Sequence, residues 1–159
     1  MSNTNAPEFA TPSLLRRFAA MVYDTLLITA ISILYGAVMA GLNIAINGAP
    51  KVGERINWGV FDVVFFVGWI LTIGVFFCYF WHKSGQTLGM KTWRMKITNK
   101  DDLNPPDYRK CIIRFFCAPI SLVLLGAGYW YMYTNPERQT LHDKISKTRT
   151  LLLSKEKRN

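Results

Sequence analysis

The chain has 159 residues, half of them hydrophobic and 14% aromatic, with a formal net charge of +9. Only 18% of residues are charged, below the ~25% usual in soluble domains, and the apolar residues gather in long runs, which argues against an ordinary soluble core. Lys and Arg flank those runs and avoid their interiors, a pattern suited to lipid headgroups and not to a nucleic-acid partner.

Residues 1–13 are polar, contain Pro7 and Pro12, and read as a flexible lead. The first span is predicted over about residues 18–42. From Phe18 to Pro50 the only charged residue is Asp24, and about 20 apolar residues at ~1.5 Å each suffice to cross the hydrocarbon core. The run is longer than the h-region of a cleaved signal, roughly 7–15 residues, so it is expected to stay as an anchor. A carboxylate at mid-depth costs about 3 kcal/mol and is by default paired, neutralised or functional. Arg17 lies seven positions earlier on the same helical face, about 10 Å along the axis, and helical side chains lean toward the N-terminus. An Arg17–Asp24 pair is one expectation; a carboxylate reaching interfacial water is the simpler one. Near the far end, Gly36, Ala37, Ala40 and Gly41 form two small-xxx-small pairs that suit close helix packing. Ordinary small-residue content explains them nearly as well.

Asn47, Gly48, Pro50 and Gly53 make a turn-rich connection. The second span is predicted over about 58–81, with Trp58 and Trp81 as interfacial anchors about 34 Å apart. Asp62, one turn inside its start, reads as a carboxylate near water, with Arg55 as a possible mate. His82 to Arg114 is a polar, basic connection. Within it Trp93, Met95 and Ile97 alternate with Arg94, Lys96 and Thr98, the period of a short half-buried strand.

Phe115 to about Thr134 is a third uncharged run, with Pro119 near its start and Gly126-Ala127-Gly128 in its middle. Tyr129, Trp130, Tyr131 and Tyr133 crowd its end like an aromatic belt. Beyond it Leu141 and Ile145 sit one helical turn apart, and residues 148–153 suit a second short strand. Residues 154–159 are a basic tail.

The charges bear on topology. The lead contributes Arg16 and Arg17, and the first loop Lys51 and Arg55. The second connection is far richer, with Lys83, Lys91, Arg94, Lys96, Lys100, Arg109, Lys110 and Arg114. That places the N-terminus and the second connection inside and the first loop outside. Three full spans would put the tail outside, yet it carries Arg138, Lys144, Lys147, Arg149, Lys155, Lys157 and Arg158. Either the third segment breaks near Pro119 or Gly126 and returns, or it crosses against the charge rule; re-entrant backbone needs protein to bury it. A cytoplasmic tail would let the two strands pair and put Asp143 on the face of Arg17 and Asp24.

Three cysteines, Cys78, Cys111 and Cys117, lie in or beside apolar segments with no Cys-x-x-Cys or Cys/His cluster. No disulfide framework, metal site or cofactor is expected. His142 beside Asp143 invites an acid–base reading, but no nucleophile or metal set accompanies it, nor do Ser84 and Thr87 have a base at a defined spacing. A structural His142 and a non-enzyme are the expectation.

Leu15-Arg16-Arg17-Phe18-Ala19-Ala20-Met21-Val22-Tyr23-Asp24, Gly85-Gln86-Thr87-Leu88-Gly89-Met90-Lys91 and Arg138-Gln139-Thr140-Leu141-His142-Asp143-Lys144 together resemble the three signatures of the RDD family of membrane proteins. The resemblance covers about residues 14–153 as a single domain. It implies that Arg17, Asp24 and Asp143 are the family's named charges, that Gly85, Thr87 and Gly89 belong to its middle signature, and that the protein resides in a bacterial inner membrane. Lys147-Thr148-Arg149-Thr150 replaces the Gly-Thr-Val type of ending expected there. The fold class expected is an all-α membrane protein with two long transmembrane helices, a third hydrophobic helix that crosses or re-enters, and a small cytoplasmic extension with a short β pair. Two functions compete, with transport put first by the resemblance. One is transport by an oligomer, such as cation/proton exchange at Asp24. The other is an accessory or assembly role, in which the charges are a clamp and the first span binds another membrane protein.

Overall fold

The computed structural model describes residues 10–56, 58, 59, 61–123 and 127–154. It contains α1 (Leu14–Asn47), α2 (Phe61–Ser84), α3 (Leu88–Thr92), β1 (Met95–Asn99), α4 (Tyr108–Val123), α5 (Ala127–Thr134), α6 (Leu141–Ile145) and β2 (Thr148–Leu152). The chain divides into two units. One comprises residues up to Asp24 and those from Phe77 onward; the other comprises Thr25–Phe76. α1 and α2 each contribute to both.

α1 and α2 are the described helices long and apolar enough to cross a bilayer. Their apolar side chains point outward: Leu26, Ile33, Leu34, Val63, Leu71 and Val75 are all exposed. A helix apolar all round and left uncovered has hydrocarbon as its natural solvent. In the Thr25–Phe76 unit polar contacts join the two helices. Trp69 Nε1 donates to Ser32 Oγ at 2.9 Å, and Tyr35 Oη donates to the Phe65 carbonyl at 3.0 Å. Gly68 makes room for the Tyr35 hydroxyl, which would meet any added Cβ. Thr29 and Thr72 satisfy their hydroxyls on the carbonyls of Thr25 and Gly68, one turn back.

The other unit is built around a two-stranded antiparallel sheet in which Met95 pairs with Leu152 and Asn99 with Thr148. Its apolar core joins Ala20 of α1, Cys78 and Trp81 of α2, Met90 of α3, Met95 and Ile97 of β1 and Cys111 of α4. A smaller cluster joins Leu14, Tyr129 and Met132.

Several expectations shift here. The alternation over 93–98 resolves into β1, two residues later, because Trp93 caps α3 and Arg94 adopts φ +55°. α3 itself lies in what reads as a polar connection; five residues are too few for a periodic signal. Trp81 is buried and stacks under Arg114, whose guanidinium carbon lies 5.6 Å from the ring. It is therefore a core residue and no interfacial anchor. At the end of the lead, Ala10 accepts a hydrogen bond from Leu152 N at 2.8 Å, and Pro12 is fully buried; residues 1–9 lie outside the described residues.

The third apolar run is two helices. α4 starts at Tyr108, before the run itself, and takes in Arg109, Lys110 and Arg114. α5 has eight residues. A Cβ added at Gly128 would lie 2.5 Å from Ser121 Cβ, whereas a continuous helix would separate positions seven apart by about 10 Å. The chain has reversed between them. Pro119 lies within α4, and the expected break at Gly126 lies outside the described residues.

Candidate functional site

Asp143, fully buried in α6, receives two guanidinium groups. Arg17 Nη1 of α1 donates to Oδ2 at 3.0 Å, and Arg114 Nη1 of α4 donates to Oδ1. β2 completes the shell. Thr150 Oγ1 donates to Asp143 Oδ1 at 3.0 Å while accepting from Arg17 and Arg114 at 3.3 and 3.2 Å, and Thr148 Oγ1 accepts from Arg114 at 2.7 Å. Thr140 N adds a long contact to Oδ2 at 3.4 Å. Strand alternation makes this possible, because Thr148 and Thr150 are two apart and share a face. One carboxylate thus ties together α1, α4, α6 and β2.

Asp24 is held separately. Its Oδ2 accepts from Thr87 Oγ1 at 2.6 Å and its Oδ1 from Gly89 N at 2.9 Å. Thr87 is the N-cap of α3, and its hydroxyl also accepts from Met90 N. A carboxylate from α1 therefore completes the cap of a helix 63 residues away in sequence. The glycines allow the approach. A Cβ at Gly89 would strike the Ala20 carbonyl and come 2.8 Å from Asp24 Oδ1. Gly85 turns the chain off α2 at φ +70°, and its carbonyl accepts from Ile97 N at 2.7 Å. Gln86 Nε2 donates to the Met95 carbonyl at 2.7 Å.

Electrostatics fix the charge states around Asp143. Burial pushes its carboxyl upward, but Arg114 and Arg17 outweigh that and hold it well below the usual carboxylate range. Burial, then the Arg114 charge, pushes the neighbouring His142 down to about 3 against the pull of Asp143. His142 is therefore neutral at physiological pH. Its Nε2 lies 3.0 Å from Thr140 Oγ1 and its ring lies edge-on to Tyr129.

The structure joins Arg17 to Asp143 but not to Asp24. The shared face of α1 made that pair plausible, but residues distant in sequence offer each side chain better-placed partners. Among the described residues no ion pair reaches Asp24. Asp62 is exposed in the first turn of α2, where a negative charge suits the helix dipole. Gly36, Ala37, Ala40 and Gly41 lie along α1, and nothing comes within 4 Å of a Cβ added at Gly36 or Gly41. Arg114, Thr148 and Thr150 are additions to the site. Arg114 left a trace: Tyr108, Ile112, Phe116 and Ile120 recur every four residues and leave it on the opposite face. Among the described residues no group of three or more His, Cys, Asp or Glu side chains is placed to hold a metal ion.

The family model described as "RDD family" matches residues 11–147. A protein of Rickettsia prowazekii (strain Madrid E), described as uncharacterized, is 31% identical over 98 residues, which are 62% of this chain. The match covers 54% of that relative, about half its length. No solved structure matches the chain.

Proposed function

The chain belongs to the RDD family, a membrane protein with two apolar helices able to span, and from that premise we propose that it is a bacterial inner-membrane scaffold, an accessory or assembly subunit whose charged cluster is a latch. The observation that carries this reading is Asp143. Fully buried, it binds two arginines that are themselves almost fully buried, and the three groups engage four separate segments. Buried ion pairs add little net stability but can fix one arrangement over others. The open faces of Gly36 and Gly41 on α1 suit close approach by a helix of another membrane protein or of a second copy.

The sheet supports a tail on the cytoplasmic side. Asn99 pairs with Thr148, so the segment between them leaves and returns at one place. Paired strands lie on one side of a bilayer, so that segment crosses an even number of times or not at all. α4 and α5, with 16 and eight residues, reach about 24 and 12 Å, short of the ~30 Å core. Zero crossings put the tail on the side of the second connection, which the basic residues assign to the cytoplasm together with the N-terminus.

A second reading is transport by an oligomer, favoured by one feature: Asp24 lies in a spanning helix and, among the described residues, is held by a hydroxyl and an N–H and by no ion pair. Liposomes carrying a pH-sensitive dye separate the two. The scaffold gives no proton movement on adding sodium, potassium or lithium, and Asp24→Asn weakens folding or partner capture. Cation-dependent proton movement that disappears in a folded Asp24→Asn variant overturns the scaffold reading in favour of transport.

A further inference from the structure

In a helix packed on a water-facing domain, apolar residues turn inward. α4 keeps Cys111 and Phe115 inward but turns a full row of large apolar residues outward. Tyr108, Ile112, Phe116 and Ile120, every fourth residue, are exposed, while Arg114, Cys111 and Ser121 are buried. The Asp143 latch enforces this facing: Arg114 cannot leave its carboxylate and hydroxyl partners without exposing Asp143 and losing every bond it makes. α5 continues the outward apolar surface with Trp130 and Tyr133, each more than 60% exposed.

Resting on the membrane reading above, we propose that the outward face of α4 and α5 is a lipid-binding face, sunk into one leaflet of the bilayer that α1 and α2 cross. Three observations favour lipid over any other cover. The hairpin is too short to cross and closes on itself through the sheet, so its natural position is at one face. Apart from Arg114, which is buried against Asp143, its charges stand at its two ends, Asp107, Arg109 and Lys110 at one and Glu137 and Arg138 at the other. Between them, up to Thr134 at the end of α5, the described outward side chains are apolar or aromatic, with Tyr and Trp toward the ends, where rings suit the headgroup region. Arg109, exposed at the start of α4, is placed for an anionic headgroup.

The test uses the whole protein in nanodiscs of phosphatidylethanolamine and phosphatidylglycerol. A photo-crosslinking benzoylphenylalanine replaces Ile112, Phe116 or Ile120 in turn. Val75 on α2 serves as the spanning control, and Asp102, in the exposed turn after β1, as the water-facing one. All three α4 positions are outward, so substitution leaves the core alone. Lipid adducts by mass spectrometry at 112, 116, 120 and 75, with none at 102, support the proposal. Adducts at 75 alone, with protein–protein crosslinks or no product from α4, overturn it and leave the membrane reading standing. Loss of adducts at 75 as well overturns both.

Discussion

The two units of this molecule hold themselves together by opposite means. Around Asp143 and Asp24, polar and charged groups are buried and almost all are matched: guanidinium to carboxylate, hydroxyl to carboxylate, amide to carboxylate. The Thr25–Phe76 unit has no charged side chain between Thr25 and Pro50, and its helices meet through a few hydroxyl and indole bonds and a glycine that admits a tyrosine. The first unit gains its specificity from partners that cannot be left alone. The second gains it from closeness of fit, as expected where lipid removes the hydrophobic drive between helices. Mutations should therefore be costly and non-additive in the first and mild in the second.

The largest effect is expected at Asp143. Asp143→Asn leaves two buried guanidinium groups without a counter-charge, a loss of about 3–5 kcal/mol, seen as a lower unfolding midpoint in mild detergent. Replacing Arg17, Arg114 and Asp143 together with Met, Met and Leu should recover much of that loss. If the triple variant is no better than Asp143→Asn, the latch has no pairing logic and the contrast between the units collapses.

Acid is the next lever. Unfolded His142 takes a proton near 6.5, whereas the folded side chain resists until about 3. Between those values unfolding binds a proton, so stability falls as pH falls. Asp143 adds a second loss below about 4, because its folded carboxyl titrates well below the ordinary 3.8. Stability measured from pH 7 downward should therefore decline first through the histidine range. His142→Gln should remove that first limb and keep the second.

Matched glycine substitutions sharpen the comparison further. Gly89→Ala drives a Cβ into the Ala20 carbonyl and the Asp24 carboxylate, and neither backbone can give way; a cost of about 1–3 kcal/mol is expected. Gly68→Ala meets only the tip of Tyr35. Loss of the Tyr35 hydrogen bond, about 1 kcal/mol, is offset by a helix-propensity gain of similar size, so denaturation curves should barely move. Equal effects at the two sites would remove the distinction. A small change of the opposite sign is expected at Lys147, which holds φ +51° just before β2. Lys147→Gly should stabilise by up to about 1 kcal/mol, read as a modest rise in midpoint.

That last position shows what the sequence could and could not tell. The departure at Lys147 from an expected glycine was visible, and the structure supplies its meaning: a left-handed residue launching β2. The two long helices were legible because charge-free runs over about 20 residues have few other uses. β1 was legible from alternation and starts two residues later than expected because Trp93 serves α3. Arg17, Asp24 and Asp143 were named through the resemblance, but the Arg17–Asp24 pair was not formed, since spacing on one helix reports neighbours along that helix and says nothing of a threonine 63 residues away. Arg114 was missed for a related reason. It was counted among the basic residues of a connection, while its role depends on α4 beginning at Tyr108 and facing its apolar row outward.

The latch also sets an order of events during synthesis. Arg17 and Asp143 are 126 residues apart, and a ribosome adding about 5–20 residues per second takes roughly 6–25 s to travel between them. Through that interval α1 and α2 are already made while Arg17 has no counter-charge and Ala10 has no strand to join. The N-terminal end of the first helix is thus left unfinished until α6 and β2 emerge, and any nascent chain stalled before α6 carries that arginine without its counter-charge.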